Sequence, residues 1–260
     1  MHTWDPAHYL TFADERGRPF VELVARIGAP RPGTVVDLGC GPGNLTARLA
    51  ERWPHARVVG VDASPEMVAA ARAAAPGIEV VARDLRDWLA TTEPVDVLVS
   101  NATLQWVPGH LALVPALVAA LTPGGWLGIQ VPGNFDQPSH AIRRTSPARH
   151  RTPRTRPASP CRRATTRSST WRRCGRPGAS PTSGRPPTST SSPARTRSSD
   201  WVSGTGARPT LQALPEELRA PFETELKRRL RAAYPARDGR VVLPFRRVFA
   251  VAQRPADAAA

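Results

Sequence analysis

From residue 35 the chain alternates short, continuously apolar runs with longer stretches whose apolar residues recur every three or four positions. The runs at 35–38, 56–61, 78–82, 95–100 and 126–131 predict buried strands. Between them, 45–53, 66–75 and 111–121 read as helices, the last stopped by Pro123-Gly124-Gly125. Ser64 is placed to cap the second of these, and Pro65 fits its first position. Ahead of the first strand, Phe20, Leu23, Val24 and Ile27 mark an amphipathic helix, and Trp4, Tyr9 and Phe12 lead into it. Near the other end, 201–206 reads as a turn, 215–234 as a helix acidic at its start and basic at its end, and 241–252 as a last strand. Short apolar strands alternating with helices predict an α/β fold, a doubly wound, mostly parallel sheet covered on both faces.

Polar residues gather where such a sheet binds ligands, at the carboxyl ends of its strands. The first strand runs into VVDLGCGPGNLT, so Asp37 precedes Gly39, Cys40, Gly41 and Gly43, with a helix directly behind. Three glycines at alternate positions let the backbone approach a ligand, and the helix start supplies N–H groups. The spacing differs from the dinucleotide fingerprint, whose last two glycines stand three apart. It suits a nucleoside with an amino-acid tail, whose ammonium Asp37 can face through the loop. Asp62 and Ala63 end the second strand, about 20 residues on, where an acid holds ribose hydroxyls. Asp84 and Leu85 end the third, within reach of an adenine, and Asn101 ends the fourth, beside the reacting end. The bland alternatives are a tight turn and three helix caps.

Composition narrows the class. No apolar run reaches the length of a membrane span, and 111–121 is broken by Pro115. The first ten residues lack the basic and apolar regions of a signal peptide. Three cysteines make no disulfide framework, so a reducing cytoplasm is expected. The net charge of +15 invites a nucleic-acid partner, but 143–199 carries 15 Arg and no acid, leaving 21 basic against 21 acidic residues elsewhere.

Several stretches together resemble the class I S-adenosylmethionine-dependent methyltransferases: VVDLGCGPGNLT, GVDAS, ARDL, SNATLQWV and LTPGGWLGIQVPGN. More narrowly, WDPAHYLTFADERGRPFVELVARI, SNATLQWVPGHLALVPALVAALTPGGWLGIQVPGNFDQPSH, WVSGTGARPTLQAL and YPARDGRVVLPFRRVFAVAQR are similar to the trans-aconitate 2-methyltransferase family. The likeness covers 1–142 and 200–253. It implies a Rossmann-like methyltransferase sheet, S-adenosyl-L-methionine as cofactor and a small polycarboxylate as substrate. It also implies a sixth strand, and an antiparallel seventh inserted between it and the fifth.

Residues 143–199 match nothing in that family and contain no Leu, Ile, Val, Phe or Met. Such a segment cannot bury enough surface to offset its ordering entropy. It reads as a neighbouring reading frame of a GC-rich gene, entered near Arg143 and left near Asp200. Giving 161–199 allowed, mostly GC-ending codons and reading two bases later yields a string with acids and a strand-like WETTYLHVL, running directly into DWVSGTG. The expectation is therefore three parts: a cofactor-binding core with cap helix at 1–142, a disordered stretch at 143–199, and the last helix and strand of the same domain at 200–260. The sixth strand would then be missing and the seventh left as an unprotected edge. The chain as written would be less stable, and its activity is in question.

The chemistry expected from the resemblance needs no acid or base. A substrate carboxyl, pKa near 4, is already ionised roughly three units below neutral pH. Acceptor contacts are expected from Tyr9, Trp106, Arg208 and Arg246 or its neighbour Arg247, because guanidinium forks suit carboxylates; solvated surface charge is the alternative for each arginine. His110 is expected to be structural, no metal is expected, and a monomer is. Three rivals remain open: a methyltransferase with another small acceptor, a nucleic-acid-binding protein or RNA methyltransferase using the arginine arm, and a cofactor-binding pseudo-enzyme.

Overall fold

The computed structural model describes residues 13–145, 187–193, 207–236, 238 and 240–257. They fall into two compact units. One holds 14–131 and 248–257, and the other holds 132–145, 187–193 and the described part of 207–247. The expected turn at 201–206 lies outside the described residues.

The first unit contains most of α1 (Ala13–Val24), then β1 (Thr34–Leu38), α2 (Thr46–Arg52), β2 (Arg57–Asp62), α3 (Pro65–Ala74), β3 (Glu79–Ala82), α4 (Leu85–Thr91), β4 (Val95–Asn101), α5 (Val114–Ala119) and β5 (Leu121–Pro132, to residue 131). Its strands run in the order β3-β2-β1-β4-β5, all parallel. The last six residues of β7 (Arg240–Gln253) follow β5. β1 has β2 on one side and β4 on the other, which makes its carboxyl end the switch point.

Alternation along each strand feeds two apolar layers. Val36, Leu38, Val59, Val61 and Leu98 pack with Trp88 and Leu117 on one face. On the other, Val35, Val97 and Val99 pack with Phe20, Leu23, Ile27, Leu49 and Phe249. The doubly wound, mostly parallel expectation holds. So does the start of α3, where the Ser64 hydroxyl accepts the Met67 N–H at 3.4 Å and Pro65 opens the helix.

Other expectations are corrected. The helix expected at 111–121 begins later, because Gly109 turns left-handed (φ 69°) and His110–Leu113 forms a 3-10 turn first. Pro123-Gly124-Gly125 lies inside β5 rather than ending a helix, and the register shifts opposite Val95/Val97. α4 was unforeseen; Asp84 caps it by accepting the Arg86 N–H at 2.8 Å.

The second unit holds α6 (Pro138–Thr145), β6 (Pro187–Pro193), α7 (Arg208–Ala213), α8 (Glu216–Ala233) and the first eight residues of β7. Phe222, Leu226 and Leu230 of α8 pack on Val241, Leu243 and Phe245. The sixth strand is present, against expectation: PTSTSSP pairs antiparallel with β7, from Pro187↔Arg246 to Pro193↔Arg240. This half of β7 is therefore not an open edge, and 143–145 and 187–193 are not disordered. A ladder is made by backbone groups, so an extended Thr/Ser run can occupy an edge without apolar side chains. Residues 146–186 and 194–206 lie outside the described residues.

Candidate functional site

The turn after β1 is built on the end of β2. The Val61 carbonyl accepts the N–H groups of Gly39 at 2.7 Å and Cys40 at 3.1 Å. One oxygen of Asp62 accepts the Gly41 N–H and the other the Ser64 N–H, both at 2.9 Å. A single acid therefore ties the glycine turn to the start of α3. A carboxylate has about four acceptor positions, so Asp62 keeps capacity for a ligand hydroxyl.

All three glycines have positive φ: 81° at Gly39, 56° at Gly41 and 79° at Gly43. A Cβ on Gly39 would overlap the Thr103 side chain, and one on Gly43 would lie 2.8 Å from the Ala71 Cβ. At Gly41 a Cβ would meet nothing within 4 Å, so its backbone faces open space. That opening, at the switch point and just ahead of a helix start, fits an adenosyl ligand.

Asp37 lies beneath the turn, 2% exposed, accepting the Thr46 hydroxyl at 2.7 Å. Burial pushes its carboxyl up to about 7; the Thr46 bond opposes this and the Asp62 charge adds to it. Burial likewise raises Asp62, against the N–H bonds it accepts. The buried Cys40 thiol is pushed well above its usual range, first by burial and then by the two aspartates. It is not a nucleophile at neutral pH.

Of the residues expected from sequence, Asp37, Gly39, Cys40, Gly41, Gly43, Asp62 and Ala63 meet in this turn. β3 joins them through Arg83, whose N–H reaches the Asp62 carbonyl at 2.9 Å. The next residue, Asp84, is exposed as well as capping α4, while Leu85 is buried. Asn101 ends β4, and the Thr103 hydroxyl links that end to the turn, lying 3.2 Å from both the Asn101 and Gly39 carbonyls. Trp106 is 40% exposed in the 3-10 turn beyond. His110 is buried, its Nδ1 3.3 Å from the Val107 carbonyl.

In the second unit Arg246 is exposed and Arg247 is buried, its guanidinium 4.1 Å from the Phe245 ring centroid. Buried Asn134 and Ser139 lie in the same unit, the Ser139 N–H donating to the Tyr234 hydroxyl at 3.1 Å. Arg208 opens α7, and its side chain lies outside the described residues, as does Tyr9.

Two features escaped the sequence reading. Ala102 holds φ 54°, a conformation that costs a side-chain-bearing residue roughly 1–2 kcal/mol, directly behind Asn101. Gln130, near the end of β5, is 0% exposed, and neither of its amide atoms has a partner among the described residues. An unpaired buried polar group costs about 1–3 kcal/mol. Its sequence signal was a lone amide in the apolar run GIQV.

Comparison with known proteins agrees with this geometry. A family model described as "Methyltransferase domain" matches residues 35–125. The trans-aconitate 2-methyltransferase of Rhodococcus jostii (strain RHA1) is 46% identical over 255 residues, 96% of this chain and 99% of the relative. Those of Streptomyces avermitilis and Azoarcus sp. (strain BH72) are each 44% identical over 98% of this chain, covering 98% and 100% of the relatives. Among solved structures, the Bacillus subtilis YcgJ protein superposes with a TM-score of 0.56 at 10% identity, covering 92% of this chain and 98% of that one. A Haemonchus contortus phosphoethanolamine N-methyltransferase, solved with S-adenosylhomocysteine, gives 0.51 at 15% identity, covering 92% and 52%. At such identities these two speak for the fold alone.

Proposed function

The chain belongs to the trans-aconitate 2-methyltransferase family, and from that premise we infer that it transfers a methyl group from S-adenosyl-L-methionine to a carboxylate of trans-aconitate. The single observation that carries the reading is the glycine turn, pinned to Val61 and Asp62 and open at Gly41. When bound, the donor supplies an electrophilic methyl on a sulfonium, open to in-line attack by a carboxylate.

The chain's own residues have the work of placement. The glycine turn, through the open face at Gly41, and Asp37 hold the amino-acid tail. Asp62 and Ala63 hold the ribose, and Asp84 and Leu85 border the adenine. Asn101 fixes the end of the donor that faces the acceptor. No group need remove a proton, because the acceptor is already ionised, and His110 is buried against its own turn. Rate then comes from alignment and the exclusion of water. Trp106, Arg208 and the β7 arginines are proposed acceptor contacts. Buried Arg247 suits the role better than exposed Arg246, since a desolvated fork binds a carboxylate more firmly.

Calorimetry with S-adenosylhomocysteine, followed by detection of methyl ester on trans-aconitate, tests both halves of the reading. Absence of heat removes the cofactor site, and heat without ester from the frame-corrected protein removes the acceptor assignment. We propose further that 143–199 is a frame-shifted product. The lack of any acid or large aliphatic residue there, in a chain otherwise balanced in charge, supports this. Resequencing codons 140–202 decides it, and an unbroken frame with sound base calls overturns it. No helix among the described residues is long and apolar enough to cross a membrane. A cytoplasmic monomer without a nucleic-acid partner is proposed with this function.

A further inference from the structure

Asn101 and Gln130 are register partners on parallel strands β4 and β5. Residues two apart on a strand share a face. Val97 and Val99 pack with Phe20, Leu23 and Ile27, so Asn101 continues that face. A Cβ on Gly128 would lie 3.0 Å from Ile27 Cδ1, so Gln130 continues it too. On β1, Val35 and then Asp37 do the same. Three polar side chains thus crown an otherwise apolar face at the carboxyl ends of three adjacent strands.

Asp37 has its partner in Thr46. The Asn101 Oδ1 and both amide atoms of Gln130 are buried without a partner among the described residues. The Gln105 Oε1 just after β4 is in the same position, its Nε2 donating to the Ala102 carbonyl at 2.5 Å.

Strand spacing assigns the ligand. Neighbouring strands stand about 4.8 Å apart, which sets β5 roughly 10 Å from β1, on the side away from β2. A donor with its ribose at Asp62 and its reactive end at β4 leaves β5 for whatever it reacts with. The polarity agrees. Of the three carbonyl oxygens unpaired here, those of Asn101 and Gln105 at the β4 end suit the cationic end of the donor, and the NH2 group of Gln130 suits an anionic acceptor. A neutral donor also orients a carboxylate without neutralising it, as an arginine fork would, and so preserves its nucleophilicity.

We propose that the paired ends of β4 and β5 form an acceptor subsite in which the Gln130 Nε2–H donates to a carboxylate of the small polycarboxylate while Asn101 faces the donor. This rests on the function inferred above and adds the group that positions the nucleophile.

The test uses the full chain with Gln130→Met, similar in length but unable to hydrogen-bond, and with Gln130→Glu, whose charge opposes the acceptor. Acceptor KM, kcat and the Kd for S-adenosylhomocysteine are measured for each, with thermal unfolding alongside. Losing a hydrogen bond to a charged group raises acceptor KM roughly 10- to 100-fold in Q130M, with Kd within twofold of wild type, and Q130E falls further. A weakened Kd with unchanged KM overturns the proposal by moving the amide to the donor. Unchanged KM and Kd with a raised unfolding temperature overturns it by making the amide merely buried. Should Q130M not fold, Gln130→Asn, one methylene short of its partner, is read by the same constants. The same substitutions are read in the frame-corrected protein: if neither it nor this chain esterifies a polycarboxylate, the functional reading falls and this goes with it; if either does and the variants match it, only the subsite falls.

Discussion

Asp37 is the residue on which stability and ligand binding pull in opposite directions. Its folded pKa of about 7 stands above the ordinary 3.8 because burial opposes the charge. Below about pH 4 the folded and unfolded chains both hold this proton. Between 4 and 7 only the unfolded chain releases it, so rising pH favours unfolding, by an order of 1 kcal/mol per pH unit. Asp62, raised for the same first cause, acts in the same direction. We predict that the unfolding midpoint of ligand-free protein falls from pH 5 to pH 7. Asp37→Asn, which keeps the Thr46 bond, should flatten that slope. The same change should weaken S-adenosylhomocysteine at least tenfold, because the ammonium loses its counter-charge, and wild-type affinity should rise as pH passes 7. An undiminished slope in D37N would assign the pH dependence to another group. A second residue-scale prediction concerns Gly43, where φ 79° and the approach to Ala71 act together. Gly43→Ala should lose roughly 1–3 kcal/mol in denaturant unfolding. Adding Ala71→Gly should recover little of that, since it removes only the Cβ contact and leaves both the approach to the residue 71 Cα, 2.9 Å, and the dihedral.

At the scale of elements, what could be read in advance depended on whether a pattern spoke through apolar periodicity. The five parallel strands and the Ser64 start of α3 follow from runs and caps, and they appear close to where the pattern sets them. α4 has seven residues, too few to establish a period, and its cap Asp84 had been read as a ligand group. On β7 the exposure alternates from Val241 to Arg247, so period two already placed Arg247 with Val241, Leu243 and Phe245. The left-handed turn at Ala102 had no signal, because alanine does not announce positive φ as glycine does. Asp84 gives the element-scale prediction. Asparagine caps a helix about as well as aspartate, and alanine does not. Asp84→Ala should therefore cost about 1 kcal/mol of stability, while Asp84→Asn costs little. If Asp84 also borders the adenine, both variants weaken S-adenosylhomocysteine; loss of affinity in neither would leave Asp84 a cap alone.

For the whole molecule, the uneven distribution of charge is the feature that local chemistry does not explain. The excess of +15 equals the 15 arginines of 143–199, and the remainder balances at 21 against 21. A site for one small polycarboxylate needs a few fixed guanidinium groups, not fifteen arginines strung along a segment with no aliphatic anchor. The short β6 pairs with β7 through backbone groups, whereas the restored frame would bring an apolar, strand-like sequence to that region. The frame-corrected protein is therefore expected to be acidic rather than strongly basic on isoelectric focusing. It should also unfold at a higher temperature, since even 2 kcal/mol of added burial moves the midpoint by about 4–8 °C in a chain of this size. Both forms should bind S-adenosylhomocysteine alike, because the glycine turn, Asp37 and Asp62 lie outside the altered stretch, whereas ester formation on trans-aconitate should be greater in the corrected form. Intact-mass measurement of the native protein from its source provides the independent check. A mass matching the arginine-rich sequence, with equal ester formation by both forms, would sink the frame argument and return the segment to the acceptor side of the enzyme as a natural part of it.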